Sequence, residues 1–283
     1  MIANTYFEYA KLHFRSYKAF ILKYNMNLKD EIGDMDIKSI KIEDIEKIQH
    51  DKIKYLAPQT VNTIIQQIKT IYNFAISREI FKGINPVAKI KILKLDNARE
   101  KYLSLEEIQK LEKEIEDNEQ LLLFIKLALC TGGRISTVVN IRKKDINLIT
   151  KSIHLRDFKN GTTYKGFIPN ELIELLEHRL EEINFDDEIV YYKGSKSHLI
   201  KSIGDKLRPI FYELFNKNLD ENDRKNKTVV HTLRHTFASH LAINSTPIYT
   251  IQKLLNHKDI TKTMRYAKLA PDSGREFVNG LYK

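Results

Sequence analysis

The chain has 283 residues, enough for two domains that each bury a core of their own. Its 47 Lys and Arg residues against 37 Asp and Glu residues give a net charge of +10, which favours a polyanionic partner such as nucleic acid. The single cysteine, Cys130, excludes an intrachain disulfide and is typical of a reducing cytoplasm. The most apolar run, LLLFIKLALC, is short and contains Lys126, so we expect a cytoplasmic protein without a membrane span.

The first 90 or so residues have the periodicity of helices. Apolar residues recur at spacings of three and four, as in VNTIIQQIKTIYNFAI, and Pro58 stands before that stretch while Pro86 stands after it. We therefore predict an all-helical first domain over residues 1–88. Residues 89–101 are rich in Lys and Arg and follow an Asn-Pro pair, which predicts a basic linker.

The second domain is predicted over residues 102–283. Ser104 and Glu107 have the spacing of a capping box, which marks the start of a helix. The segments SIHLRDF and YKGFIP flank Asn160-Gly161, a dipeptide typical of a tight hairpin turn. The predicted fold class is therefore mainly α in two domains, with a small antiparallel β-sheet in the second.

One helix carries a cluster of basic side chains in the sequence HTLRH. Its members His231, Arg234 and His235 lie at positions i, i+3 and i+4, which project from one face of a helix. This spacing would bring imidazole and guanidinium groups together. A solvated basic helix face has the same pattern.

Two further segments flank this cluster. Downstream, Pro247 starts a helix that stops near His257, and a short helix after it is predicted to carry Tyr266. Upstream, Arg134 follows a double-glycine turn, where the backbone can approach a ligand closely. The alternative for Gly133-Arg134 is a helix end followed by an ordinary surface arginine.

The segments TGGRIS, HTLRH, LLNH and RYA, in that order, resemble the signature boxes of the tyrosine recombinase family of phage integrases and Xer proteins. The resemblance covers about residues 100 to 270, and the first half resembles the helical, SAM-like core-binding domain of the same family. It implies a site-specific DNA recombinase that closes as a two-domain clamp around duplex DNA. It also implies cleavage and rejoining through a 3′-phosphotyrosine, with four protomers acting on two DNA sites.

Carried over to this chain, the resemblance implies that Arg134 and Arg234 hold the non-bridging oxygens of the phosphate, with His231 and His257 beside them. Tyr266 is then the nucleophile. Guanidinium groups suit this role because they bind phosphate oxygens in pairs and stay charged. We expect His231 to take the phenol proton, as a histidine with a pKa near 7 can, and His257 to donate a hydrogen bond to the phosphate.

In the family, a lysine in the hairpin turn acts as the general acid, and Lys159 fits that position. Lys165, on the other side of the same turn, is the alternative. With arginines and a lysine supplying positive charge, the reaction is expected to need no metal, cofactor or ATP.

Two other residues and the C-terminal tail are also assigned expected roles. Thr137 stands where family members usually carry an acidic residue, so an orienting contact for the site's cations is expected to be weaker or supplied elsewhere. His235 is expected to pack or cap within its helix. The tail with Phe277, Val278 and Leu281 either docks on a neighbouring protomer or folds on its own domain.

Alternative functions remain open from the sequence. A catalytically impaired DNA-binding protein of the same fold is suggested by Thr137, and a strand-relaxing enzyme of the topoisomerase IB kind would use the same groups. A metal site formed by the histidines is disfavoured because two arginines would repel a cation. The biological role is either Xer-like chromosome dimer resolution, linked to chromosome partition and cell division, or integration and excision of a mobile element.

Overall fold

The protein is described by a computed structural model, and its chain divides into two compact units, residues 1–97 and 98–283. The described residues are 2–95, 99–158, 161–191, 194–271 and 278–279. The division falls within the basic segment 89–101.

The first unit is helical throughout its described elements. These are α1 (Ile2–His13), α2 (Tyr17–Asn27), α3 (Lys29–Ile32), α4 (Ile42–Ile53) and α5 (Pro58–Ser77), followed by a 3-10 turn at Pro86–Lys89. Pro58 occupies the first turn of α5, where a missing N–H leaves no helical bond unmade. The predicted helical character of this half is therefore confirmed.

The start of the basic segment packs on this first unit. The side chain of Asn62 donates to the carbonyl oxygen of Leu93 (2.9 Å) and accepts from its N–H (3.0 Å). Asn62 is buried, so both bonds are made away from solvent, where an unpaired amide is costly. The chain as far as Leu93 is thus held against α5.

The second unit contains eight more α-helices among its described residues. They are α6 (Leu105–Glu114), α7 (Glu119–Thr131), α8 (Ile135–Val138), α9 (Ile173–Glu181), α10 (Lys196–Phe211), α11 (Val230–Ile243), α12 (Ile248–Leu254) and α13 (Thr261–Met264). The capping box is present, because Ser104 Oγ accepts from the N–H of Glu107 (3.2 Å) and Glu107 Oε2 accepts from the N–H of Ser104 (2.9 Å). Shorter turns complete the unit: 3-10 turns at Lys143–Asp145, Asn170–Leu172 and Ala267–Leu269, and a π turn at Tyr212–Asn216.

A three-stranded antiparallel sheet lies among these helices. Its strands, in the order β1-β2-β3, are β1 (Ile146–Asn147), β2 (Ser152–Asp157) and β3 (Thr162–Phe167). The β2–β3 hairpin was predicted, whereas β1 was not, because a strand of two residues shows no alternation. The fold class, mainly helical with a small antiparallel sheet, is confirmed.

Two apolar clusters position the helices of this unit. The larger one joins α7, the sheet and α10 and includes the fully buried Phe124, Leu155 and Ile203. The smaller one lies between α11 and α12, and its buried members are Ala238, Ala242, Ile251, Leu255 and Tyr266. Within the described ranges, none of the helices has the length and apolar character needed to cross a membrane.

Candidate active site

A left-handed turn places Arg134. Helix α7 ends at Thr131, and Gly132 follows with φ of +59°. A Cβ at Gly132 would come within 2.3 Å of Phe237 Cδ1, so both the backbone conformation and the space require glycine. Arg134 then occupies the position before α8, so a new helix begins directly after the double-glycine turn, as predicted.

The guanidinium of Arg134 is held by a carboxylate that the sequence analysis did not single out. Arg134 Nη1 donates to Asp157 Oδ2 at 2.6 Å. The side chain of Asp157 is only 1% exposed, whereas that of Arg134 is 24% exposed. The pair therefore has a buried carboxylate end and a guanidinium that reaches the surface.

Arg234, on α11, is buried and fastened to the backbone at two places. Nη1 donates to the carbonyl oxygen of Gly132 (2.7 Å) and Nη2 to that of Leu255 (2.6 Å). Burial, and next the positive charge of Arg134, lower the pKa of Arg234 to about 10. The two arginines thus repel each other in the protein without DNA, which creates a site where an anion would be stabilised.

His231 precedes Arg234 by one helical turn. Loss of hydration, followed by the charges of Arg234 and Arg134, lowers its pKa to about 4. The loss of hydration and the two arginine charges all disfavour the protonated imidazole. His231 is therefore neutral at pH 7, and the expected pKa near 7 does not apply to the protein without DNA.

The segment LLNH ends in a turn that orients His257. Asn256 has φ of +51°, a conformation that asparagine tolerates better than most residues. His257 Nδ1 lies 2.9 Å from the hydroxyl of buried Thr263, which fixes the imidazole ring. Burial and the charge of Arg234 lower the pKa of His257 to about 4.

Tyr266 is buried, at 4% exposure, and its hydroxyl lies 2.7 Å from Nδ1 of His235. Burial raises the pKa of this phenol, while the charges of Arg265 and Arg234 oppose the shift. Helix α13 ends at Met264, so Arg265 and Tyr266 follow the short helix instead of lying on it. The expectation that His235 only packs or caps is thus incomplete, because it contacts the proposed nucleophile.

His235 is the residue that the sequence reasoning undervalued. Its position four residues after His231 was the available signal, since the two rings lie edge to face with centroids 4.9 Å apart. Its contact with Tyr266 joins residues 31 positions apart, which spacing within one helix does not reveal.

The structure describes only one of the two candidate lysines, Lys165. Lys159 and Asn160 lie outside the described residues. Lys165 is exposed on β3, with Nζ 5.5 Å from the centre of the Phe167 ring. In the C-terminal tail, Phe277 and Leu281 also lie outside the described residues.

The site groups its side chains around the two arginines. Arg134 and Arg234 lower the pKa values of His231 and His257, and the charge of Arg234 also acts on His235 and Tyr266. Cations that repel each other disfavour a metal here. Among the described residues, the side chains grouped like metal ligands are Glu119, His178 and Glu182, all exposed.

The buried histidine predicts a pH-dependent stability. Burial, then the charges of His231 and Arg265, lower the pKa of His235 to about 3, against about 6.5 in an unfolded chain. Its folded pKa is depressed, so the unfolded state binds more protons and stability falls as the pH drops below about 6.5 towards 3. From pH 7 to pH 5 we expect a loss of about 2 kcal/mol from this residue alone. Urea unfolding of wild type and His235→Gln at both pH values measures it. An equal pH dependence in the two proteins would contradict the assignment.

With the geometry described, the family can be stated. The model of the phage integrase family matches residues 101–272. The chain belongs to this family, whose members are tyrosine recombinases, and the resemblance seen in the four boxes is confirmed.

Two relatives and one solved structure illustrate the likeness. The integrase of Escherichia phage 186 is 27% identical over 231 residues, which cover 80% of this chain and 61% of that protein. The tyrosine recombinase XerC of Oceanobacillus iheyensis is 24% identical over 296 residues, which cover 96% of this chain and 93% of that protein. The chain thus spans 61% of the length of the first relative and nearly all of the second.

The solved structure is a lambda integrase tetramer bound to a Holliday junction. It shares 16% identity with this chain, with a TM-score of 0.74 over 94% of this chain and 76% of the lambda chain. At this identity the likeness concerns the fold.

Proposed function

We propose that the chain is a site-specific DNA recombinase that cleaves and rejoins duplex DNA through a 3′-phosphotyrosine at Tyr266. The observation that carries this proposal is the pair Arg134 and Arg234, held by the fold close enough for each charge to disfavour the other. Asp157 supplies one negative charge for two guanidinium groups, so a further anion between them is stabilised. A phosphodiester is the anion that the family and the net charge of +10 favour.

The two guanidinium groups bind the non-bridging oxygens of the scissile phosphate. Attack by Tyr266 on phosphorus adds negative charge to these oxygens, so the arginines bind the transition state more tightly than the ground state. His257, with its ring fixed by Thr263, donates a hydrogen bond to the same phosphate. Its Nδ1 faces Thr263, so Nε2 is the nitrogen for this contact.

A neutral histidine acts as the general base that deprotonates Tyr266. His235 already lies within hydrogen-bond distance of the hydroxyl, and with its own proton on Nε2 its Nδ1 accepts the phenol proton. His231, which the sequence favoured as the base, lies edge to face with His235, and its pKa is lowered by the charges of Arg234 and Arg134. A bound phosphate offsets the arginine charges and raises the pKa values of these imidazoles, which makes them stronger bases when DNA is present.

Lys159 protonates the departing 5′ oxygen, and the phosphotyrosine keeps the energy of the broken bond for rejoining. Rejoining is then attack by a 5′ hydroxyl on the phosphotyrosine, and no ATP is consumed. No metal takes part in this scheme, since Arg134, Arg234 and Lys159 supply the positive charge.

The first unit acts as the core-binding domain, and both units contribute to DNA binding. Phosphate contacts supply most of the affinity, so binding falls steeply as salt rises. Four protomers assemble on two DNA sites, a proposal supported by the lambda integrase tetramer on a Holliday junction. The relatives include a phage integrase and a XerC protein. The proposed biological role is therefore either integration and excision of a mobile element or chromosome dimer resolution, in the cytoplasm.

A suicide DNA duplex, nicked near the cleavage point, tests this function. The binding site is first selected from random or neighbouring genomic DNA, and the reaction is run without added metal. Wild type is expected to form a protein–DNA band that resists denaturation, and Tyr266→Phe is expected to form none, because phenylalanine lacks the attacking oxygen.

The outcomes of this experiment separate the alternatives. Specific binding without a covalent band would support a catalytically impaired DNA-binding protein. A band that persists in Tyr266→Phe would show that another tyrosine attacks. Tyr249 and Tyr191, both exposed on the second unit, would then be replaced in turn.

A further inference from the structure

Asp157 makes more contacts in the site than its position in the sequence suggests. It is the last residue of β2, directly before the turn that contains Lys159, and its side chain is 1% exposed. Oδ2 accepts from Arg134 Nη1 at 2.6 Å and lies 3.3 Å from Asn256 Nδ2. Its carbonyl oxygen accepts from the N–H of Gly161 (2.8 Å), which closes the hairpin turn.

The same contacts tie three parts of the site together. Asn256 precedes His257, and its Nδ2 also donates to Thr162 Oγ1 at 2.8 Å. Thr162 is the residue paired with Asp157 across the hairpin. The carboxylate therefore lies where the first arginine, the hairpin turn and the LLNH turn meet.

Thr137 does not provide an equivalent contact. It is 2% exposed, and among the described residues no hydrogen bond joins its Oγ1 to the guanidinium of Arg134. A hydroxyl also lacks the charge that a guanidinium requires of a buried partner. The structure thus contains a buried carboxylate against Arg134, but it comes from β2 instead of from α8.

We propose that Asp157 is a positioning residue that orients Arg134 toward the transferred phosphate, in place of the acidic residue that position 137 lacks. The proposal rests on the function proposed above. By accepting from Nη1, the carboxylate restricts the rotation of the guanidinium plane and leaves its exposed side for phosphate oxygens.

The first test compares Asp157→Asn with Asp145→Asn. Asp145 is a matched control, because it is also a buried carboxylate that pairs with an arginine. Its partner is Arg156 on β2, at 3.0 Å. Asparagine keeps the shape of the side chain and removes its charge. In single-turnover cleavage of the suicide duplex, Asp157→Asn is expected to lower the rate about 10- to 100-fold at saturating protein, with little change in DNA affinity. Asp145→Asn is expected to cleave at the wild-type rate.

A second substitution tests whether Asp157 is needed because position 137 carries no negative charge. Thr137→Glu added to Asp157→Asn is expected to recover at least tenfold in cleavage rate, because it returns a carboxylate to the neighbourhood of Arg134. An unchanged rate in Asp157→Asn, or equal losses in the Asp157 and Asp145 variants, would overturn the proposal. So would a double variant that melts like wild type and recovers nothing.

A double-mutant cycle in thermal stability measures the Arg134–Asp157 contact independently of catalysis. Arg134→Ala, Asp157→Asn and the combined variant are melted without DNA. The loss in Tm of the combined variant is expected to be smaller than the sum of the single losses, because either single change already removes the Arg134–Asp157 contact. Additive losses would overturn the proposal. A wild type that forms no adduct, together with a non-additive cycle, would reject the recombinase function and keep the Arg134–Asp157 contact.

Discussion

Arg234→Lys is expected to lower the rate of DNA cleavage by about 10³-fold or more. A lysine carries the same charge but cannot donate to two phosphate oxygens in one plane. Arg234 also donates to the carbonyl oxygens of Gly132 and Leu255. The single ammonium nitrogen of a lysine cannot make both of these bonds. Cleavage of the suicide duplex at saturating protein measures the loss.

The same substitution should reduce stability, so a control is needed. One unmade bond from a charged donor to a buried carbonyl costs about 1.5 to 3 kcal/mol. Arg179 is a matched control: its side chain is 14% exposed and donates to the carbonyl oxygen of Ile189 (3.0 Å) and to Glu182 (3.0 Å). We expect Arg179→Lys to lose stability but to cleave normally. A folded Arg234→Lys that cleaves within tenfold of wild type would contradict the phosphate-binding role.

Lys159→Ala is expected to lower cleavage about 10²- to 10⁴-fold, the range that positioned acids contribute. The 5′ oxygen leaves as an alkoxide unless it receives a proton. A substrate with sulfur in place of that oxygen has a leaving group of much lower pKa, so it needs no acid. We therefore expect the sulfur substrate to restore cleavage by Lys159→Ala and to leave the Tyr266→Phe variant inactive.

Lys165→Ala is the control for the alternative lysine. Lys165 is exposed and lies over the Phe167 ring, so its removal is expected to change cleavage of the oxygen substrate by less than tenfold. If Lys165→Ala shows the large loss and the rescue by sulfur, while Lys159→Ala does not, the roles of the two lysines are reversed.

Local sequence patterns were sufficient for several of the helices. The capping box at Ser104, the helix after Ala57 and the double-glycine turn before Arg134 all agree with the structure. Capping and helical periodicity involve residues within a few positions of one another, so they can be read locally. The two-residue strand β1 could not, because it exists only through its pairing with β2.

The site was predictable in part. The spacing of HTLRH indicated a basic helix face, but it did not show that His235 contacts Tyr266. Likewise, nothing local to Arg134 indicated that Asp157, 23 positions later, would pair with it. Both contacts depend on how α11, α12 and the sheet pack.

By itself, the sequence determined the family, the basic character of the chain and the identities of Arg134, Arg234 and Tyr266 as candidate site residues, because four short boxes in a set order are visible without any folding. Only the tertiary structure decided which side chains touch and how they are charged. It buries Tyr266 against His235, lowers the pKa of His231 to about 4 and supplies the carboxylate against Arg134 from β2. Desolvation and Coulomb interactions depend on distances between atoms that are remote in the chain, and the fold alone sets those distances.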